Sequence, residues 1–247
     1  MLLLVFIFGL IIGSFLNVCI YRIPRGESIS CPPSHCTSCG RRIRWYDMFP
    51  VLSYLLLRGK CRFCGDRISI KYPLIELTTG ALFAALYINY GLSFEFIKFA
   101  LFISLLIVIG IIDLNTMDVY LKTTIFGVIS GIVFMIIGYY LYGNVMEYIS
   151  GGLLGGGTIA LIIILTKGMG WGDAEICLVS GLFLGLRLAV VMLFLSFVIG
   201  GFTGIALILL KKKSRRDYIP FGPFIALSSI VTTFFGERIL TWYLSLL

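Results

Sequence analysis

Gly168-Met169-Gly170-Trp171-Gly172-Asp173-Ala174-Glu175 is a glycine-rich turn that delivers a carboxylate to the edge of an apolar run. Glycines between hydrophobic stretches usually make a loop, and an acid beside them often caps a helix. Here, however, three glycines fall within five residues, and Asp173 leads straight into the apolar run Ile176–Leu186. A charge placed where hydrocarbon begins points to a functional site. The surrounding chain then has to supply a membrane and a second group at the same depth.

It supplies the membrane readily. The 247 residues are 59% hydrophobic and 13% charged, more apolar than a soluble core of this length needs, and the mean hydropathy of +1.03 agrees. Runs long enough to cross a hydrocarbon layer of about 30 Å fall near Leu2–Tyr21, Pro73–Tyr90, Phe96–Ile112, Val119–Tyr142, Tyr148–Thr166, Ala189–Leu210 and Phe221–Phe235. A shorter one, Ala174–Leu186, fits a tilted or incomplete crossing. The expected fold is thus an all-α polytopic membrane protein of about eight transmembrane helices. Leu2–Tyr21 lacks the basic start and small-residue end of a cleaved signal and reads as a retained first span, residues 1–21.

Orientation follows from lysine and arginine. With the amino terminus outside, the inner segments hold ten basic residues in Arg22–Lys71, then Lys122, Lys167 and five in Lys211–Arg216, leaving Lys98, Arg187 and Arg238 outside. The net charge of +8 therefore reflects topology in the bilayer rather than a nucleic-acid surface, and no nucleic-acid partner is expected. Glycines cluster within the spans as Gly127/Gly131, Gly151/Gly152/Gly155/Gly156/Gly157 and Gly200/Gly201/Gly204, at spacings that let helices approach closely in lipid.

The one large hydrophilic segment contains Cys36-Thr-Ser-Cys39 and Cys61-Arg-Phe-Cys64. This C-x2-C-x21-C-x2-C pattern, each pair followed by glycine, predicts two knuckles around tetrahedral zinc, a small zinc-ribbon-like loop of four cysteines on the cytoplasmic side. Reducing surroundings disfavour disulfides there, and some fifty residues poor in aliphatics need a staple. Cys31 and His35 are near enough to substitute as ligands. Cys19 and Cys177 read as small buried side chains.

The second carboxylate is Asp113, at the end of Phe99–Ile112. Alone it would be an interfacial acid. Two crossings separate it from Asp173, however, and an even number returns the chain to the face it left. Two carboxylates brought together in low dielectric cannot both ionise easily, so one keeps a proton while the other activates water. Asp118 is an alternative partner that should point more toward solvent, and Glu175 is a weaker one. Glu76, just inside a span, has no explanation from spacing.

Taken together these residues resemble the prepilin peptidases, which process type IV pilins and pilin-like proteins. The likeness rests on Gly13-Ser14-Phe15-Leu16-Asn17-Val18 with Tyr21–Ser28, the cysteine quartet enclosing Trp45–Ser53, Lys71–Glu76, Asp113, Gly170–Asp173 and Ile219–Phe224, six motifs in order over nearly the whole chain. The resemblance implies a GxGD intramembrane aspartic protease with Asp113 and Asp173 as its catalytic pair. It would cut the basic leader from prepilin or pseudopilin substrates after a glycine, at the cytoplasmic face of the inner membrane. Members that keep the cysteine loop also methylate the new amino terminus with S-adenosylmethionine, so residues 22–72 are expected to be the zinc-binding methyltransferase region and residues 73–247 the protease core. No glycine-rich nucleotide fingerprint marks a site for the methyl donor. Two departures stand out: Val119-Tyr120-Leu121 replaces the usual aliphatic-Pro-Asp triplet after Asp118, and Glu175 stands where a lysine is common. A proton- or cation-coupled transporter and a non-catalytic scaffold are the rival readings.

Overall fold

The computed structural model describes residues 1–211 and 218–246; of the expected inner basic run Lys211–Arg216, everything past Lys211 lies outside the described residues. Among those residues the regular structure is helical: α1 Leu2–Arg22, α2 Leu52–Leu56, α3 Lys71–Tyr90, α4 Phe94–Thr116, α5 Leu121–Tyr142, α6 Met146–Thr166, α7 Trp171–Leu184, α8 Leu186–Leu209 and α9 Gly222–Leu244. The all-α polytopic expectation holds. Six helices, α1, α4, α5, α6, α8 and α9, are long and apolar enough to cross a membrane. The other two of the eight expected runs form α3, which carries Glu76, Thr78, Thr79 and Asn89 among its apolar residues, and the 14-residue α7.

Several helices outrun the apolar windows that announce them. The α9 helix continues through Glu237 and Arg238 to Leu244, because backbone hydrogen bonding does not require an apolar side chain at each step. Similarly α4 runs four residues past Ile112, so Asp113 sits within its last turn rather than after it.

The chain divides into two compact units, Met1–Ala100 and Leu101–Leu247. In the first, α1 and α3 pack almost backbone to backbone. A Cβ on Gly9 would lie 2.8 Å from the Gly80 Cα, and one on Gly13 would lie 2.7 Å from the Glu76 Cα. At the end of this pair, the Asn17 amide donates to the Tyr72 carbonyl at 3.1 Å. The buried Arg22 donates to the carbonyls of Ser28 (2.9 Å) and Pro32 (2.7 Å), which ties the start of the polar loop to α1.

In the second unit α6 and α7 lie closer still. A Cβ on Gly181 would fall 2.1 Å from the Gly151 carbonyl oxygen, and one on Gly155 would fall 2.5 Å from that of Cys177. Small residues substitute for the hydrophobic effect in lipid, where closeness of packing has to hold helices together. Not every clustered glycine takes part, since Gly157 and Gly201 face open space. Further along, Phe102 of α4 stacks on Phe183 of α7 with centroids 4.7 Å apart and planes within 9°. Gly127 of α5 admits Leu105 and Val179 side by side.

Gly181→Ala should strain the α6/α7 contact by about 1–3 kcal/mol, whereas Gly157→Ala should stay within about 0.5 kcal/mol of the parent. Thermal unfolding of both variants in the same detergent checks the contrast, and equal melting temperatures would refute it.

Candidate active site and metal centre

Helix register brings the two aspartates to one level. Asp113 lies eleven residues beyond Phe102, and Asp173 lies ten residues before Phe183. At 1.5 Å per residue they stand about 16 and about 15 Å from the Phe102–Phe183 stack, on the same end of antiparallel helices. The end of α7 is set by Gly172, where a Cβ would come 2.5 Å from the Val119 Cβ. Only glycine lets α7 start against the segment that follows α4. Both carboxylates are buried, Asp113 at 4% and Asp173 at 8% exposure, and they repel each other through space.

A third element closes this site. Gly222, the first residue of α9, lies so near that a Cβ there would be 2.5 Å from Asp113 Oδ2 and 3.0 Å from Ile176 Cδ1, one turn past Asp173. The surroundings of the two acids differ. Asp173 is in the first turn of α7, where its carboxylate accepts the Gly170 N–H at 3.2 Å. Asp113 is in the last turn of α4, its carboxyl hydrogen-bonded by the Gly222 backbone, while its Oδ2 is buried with no other partner among the described residues.

The neighbouring acids take other places. Asp118 is exposed, past the left-handed Met117 (φ +59°) that ends α4. Glu175 accepts the Thr124 hydroxyl of α5 at 2.8 Å, a partner that residue spacing could not reveal. The turn without the usual proline is also accounted for. Tyr120 is extended, and its carbonyl accepts both the amide (2.8 Å) and the hydroxyl (2.6 Å) of Thr123, so α5 begins on threonine hydrogen bonds.

In the first unit, the four cysteines converge. Ligand atoms of Cys36, Cys39, Cys61 and Cys64 all lie within 4.8 Å of one another, with Cys36 and Cys64 sulfurs 3.9 Å apart. Four sulfurs about 2.3 Å from a tetrahedral zinc stand roughly 3.8 Å from each other, so the set fits that ion. The knuckles are alike in detail. The Cys36 N–H donates to the Arg41 carbonyl and Gly40 N–H to the Cys36 carbonyl, each at 2.9 Å; Cys61 to Asp66 (2.8 Å) and Gly65 to Cys61 (2.9 Å) repeat the pattern. Gly40 and Gly65 have φ of +69° and +71°, which side chains rarely adopt. Hydrogen bonding from the Cys39 backbone leads the interactions that bring the Cys36 thiol below its usual range, while its neighbour Cys64 is pushed up. His35 and Cys31 are outside the cluster.

The loop between the knuckles is fastened to α3 by Glu76. Its carboxylate, on a residue only 8% exposed, accepts the Val51 N–H at 2.8 Å and is hydrogen-bonded by the Ser14 side chain. Val51 has φ +61° and ψ −50°, and the Leu52 N–H donates to the Pro50 carbonyl at 2.6 Å. This is a γ-turn of the rare positive-φ form, strained for a β-branched residue. Nearby, Arg62 grips Asp47 through bonds of 2.6, 2.9 and 3.2 Å, and that hydrogen bonding holds the Asp47 carboxyl below its usual range.

Two family models match the chain, the bacterial Peptidase A24 N-terminal domain over residues 7–90 and the type IV leader peptidase family over residues 100–205. Curated relatives named prepilin leader peptidase/N-methyltransferase include one from Bacillus subtilis (strain 168), 36% identical over 100% of this chain and 99% of the relative. Another from Aeromonas hydrophila is 33% identical over 98% and 93%, and one from Neisseria gonorrhoeae is 30% identical over 97% and 93%. No solved structure matches.

The purified chain should carry about one zinc per molecule, and Cys36→Ser or Cys61→Ser should release it. Elemental analysis after gel filtration measures both, and metal content unchanged by either substitution would remove the quartet as ligands.

Proposed function

The chain belongs to the type IV leader peptidase family, and we propose that its buried Asp113/Asp173 pair cleaves the leader of type IV prepilins or pseudopilins. It is a multi-pass membrane enzyme of two activities, cleaving the prepilin leader and methylating the amino terminus so exposed. The observation that supports the active-site assignment is two buried carboxylates, on helices far apart in sequence, near enough to repel through space, with the Gly222 backbone against one of them.

The asymmetry of the pair distributes their roles. Each acid meets a helix N-terminus and a backbone hydrogen bond, Asp173 those of α7 and Gly170 and Asp113 those of α9 and Gly222, but only Asp113 also sits in a helix's last turn, that of α4, which disfavours negative charge. Asp173 is therefore the base that takes a proton from water as the oxygen attacks the scissile carbonyl. Asp113 holds the proton of the pair and donates it to the developing oxyanion; as the intermediate collapses, Asp173 passes the proton taken from water to the leaving amine and Asp113 recovers its own from the tetrahedral hydroxyl. Gly168–Gly172 offers backbone that an unwound substrate segment can pair with.

The division of labour follows the chain: residues 22–72 with the two cysteine knuckles serve methyl transfer, and the segments from residue 73 onward carry the protease. S-adenosylmethionine supplies the methyl group, and zinc on four thiolates organises the loop without an open position for chemistry. Basic residues concentrated in Arg22–Lys71 support an amino terminus outside the inner membrane and a cytoplasmic active site.

Incubating the purified chain with a prepilin-like peptide and labelled S-adenosylmethionine, with both products read by mass spectrometry, tests the whole reading. Asp113→Asn and Asp173→Asn should each lower cleavage by at least about a hundredfold while the protein stays in the membrane; normal cleavage by either would remove that residue from the pair. Gly222→Ala, whose new methyl would displace the Asp113 carboxylate, should cost roughly tenfold or more in rate. Stripping the zinc should depress methylation well before cleavage, and parallel loss of both would mean that the metal supports more than the loop.

A further inference from the structure

A cavity of about 580 Å³ opens in the first unit between α1, α3 and the polar loop, among its walls Phe15, Asn17, Tyr21, Asp47, Tyr54 and Glu76. Its size lies inside the range of roughly 300–1,000 Å³ typical of small-molecule sites, and the mix of aromatic faces with a few fixed polar groups is typical of them too. The charge in it is unevenly matched. Glu76 is buried and takes neutral donors, the Val51 N–H and the Ser14 side chain, but forms no ion pair among the described residues. The arginines that border the cavity are placed otherwise. Arg22 is engaged by the Ser28 and Pro32 carbonyls and Arg62 by Asp47, while Arg41, over the Phe63 ring, and Arg67 are exposed on the knuckles. A buried carboxylate that faces a cavity and pairs with none of these cations is matched by a ligand that brings its own.

We propose that this cavity is the methyl-donor site, with Glu76 as counter-charge to the sulfonium of S-adenosylmethionine and the tyrosine and phenylalanine faces as the surface for its adenine. The assignment rests on the methyl-transfer reading above. The sulfonium is cationic, and both a carboxylate and an aromatic face attract it. At the transfer, the lone pair of a neutral amine forms the N–C bond and the C–S electron pair returns to sulfur. Positive charge passes from sulfur to nitrogen, the extra proton on the methylated amine leaves to water, and Glu76 faces a cation on both sides of the step. The spent donor is a neutral thioether, for which the same carboxylate has no charge to match. Glu76 thereby favours loading over product retention. Its bond to Val51 also ties the strained Pro50–Leu52 turn to the carboxylate.

The test is equilibrium binding, with no turnover required, on the full chain purified with its metal. S-adenosylmethionine and its thioether product, S-adenosylhomocysteine, are titrated into the parent and into Glu76→Gln. The substitution should weaken the sulfonium ligand by roughly tenfold or more, the scale of a lost charge-assisted contact, and leave the thioether within about threefold. An unchanged ratio between the two ligands overturns the proposal. Ultraviolet cross-linking of labelled donor to the parent chain needs no variant at all. Label in the peptides holding Phe15–Tyr21, Tyr54 or Glu76 supports the site, and label confined elsewhere overturns it while leaving the methyl-transfer reading intact. A parent chain that neither binds the donor nor transfers its methyl group overturns both.

Discussion

The contact on which the second unit depends is the approach of α6 to α7 through Gly151, Gly155 and Gly181, where the backbones meet with no room for a single added carbon. In lipid, helices gain little from hiding apolar surface from one another, so the depth and rotation of a helix are set by how closely it can be packed. For α7 that contact fixes which residue arrives at the membrane edge. Shifting it by one residue would rotate Asp173 by about 100°, away from α4.

The same economy of side-chain volume builds the site. Gly172 lets α7 begin against Val119, and Gly222 brings the start of α9 onto the Asp113 carboxylate. Three helix ends thus converge, two of them N-terminal and one C-terminal, so the field at the two acids is unequal before any substrate arrives. Backbone hydrogen bonds reach both acids, from Gly170 to Asp173 and from Gly222 to Asp113, so the C-terminal end of α4 is what sets them apart.

Local pattern made much of this readable beforehand. Apolar run lengths announce the helices, and counting crossings between Asp113 and Asp173 places both acids on one face, because each crossing reverses the direction of the chain. The spacing of Cys36, Cys39, Cys61 and Cys64 announces their cluster, since a short knuckle can close only in a few ways. What spacing could not reveal depends on residues distant in sequence. Glu76 looked unexplained because its partners are Val51 and Ser14; Thr124 and Glu175 are paired across 51 positions. Gly222 gave no sign of its place beside Asp113, as a glycine opening a helix is ordinary until the opposing carboxylate is known. Helix ends at Thr116 and Leu244 escaped for a simpler reason: hydropathy marks where lipid ends, while hydrogen bonding decides where the helix does.

The brevity of α7 carries a consequence for the interior of the bundle. Fourteen residues rise about 21 Å, against a hydrocarbon thickness of about 30 Å, and the neighbouring α6 and α8 have 21 and 24. The residues of α7 are mostly buried and only Trp171 is exposed, so the shortfall falls inside the bundle, among the neighbouring helices, rather than against lipid. A recess left at the start of α7 would shorten the path from the aqueous phase to Asp173. Water would then approach the two acids through a gap that a 14-residue helix leaves among longer neighbours, with the bilayer itself undisturbed.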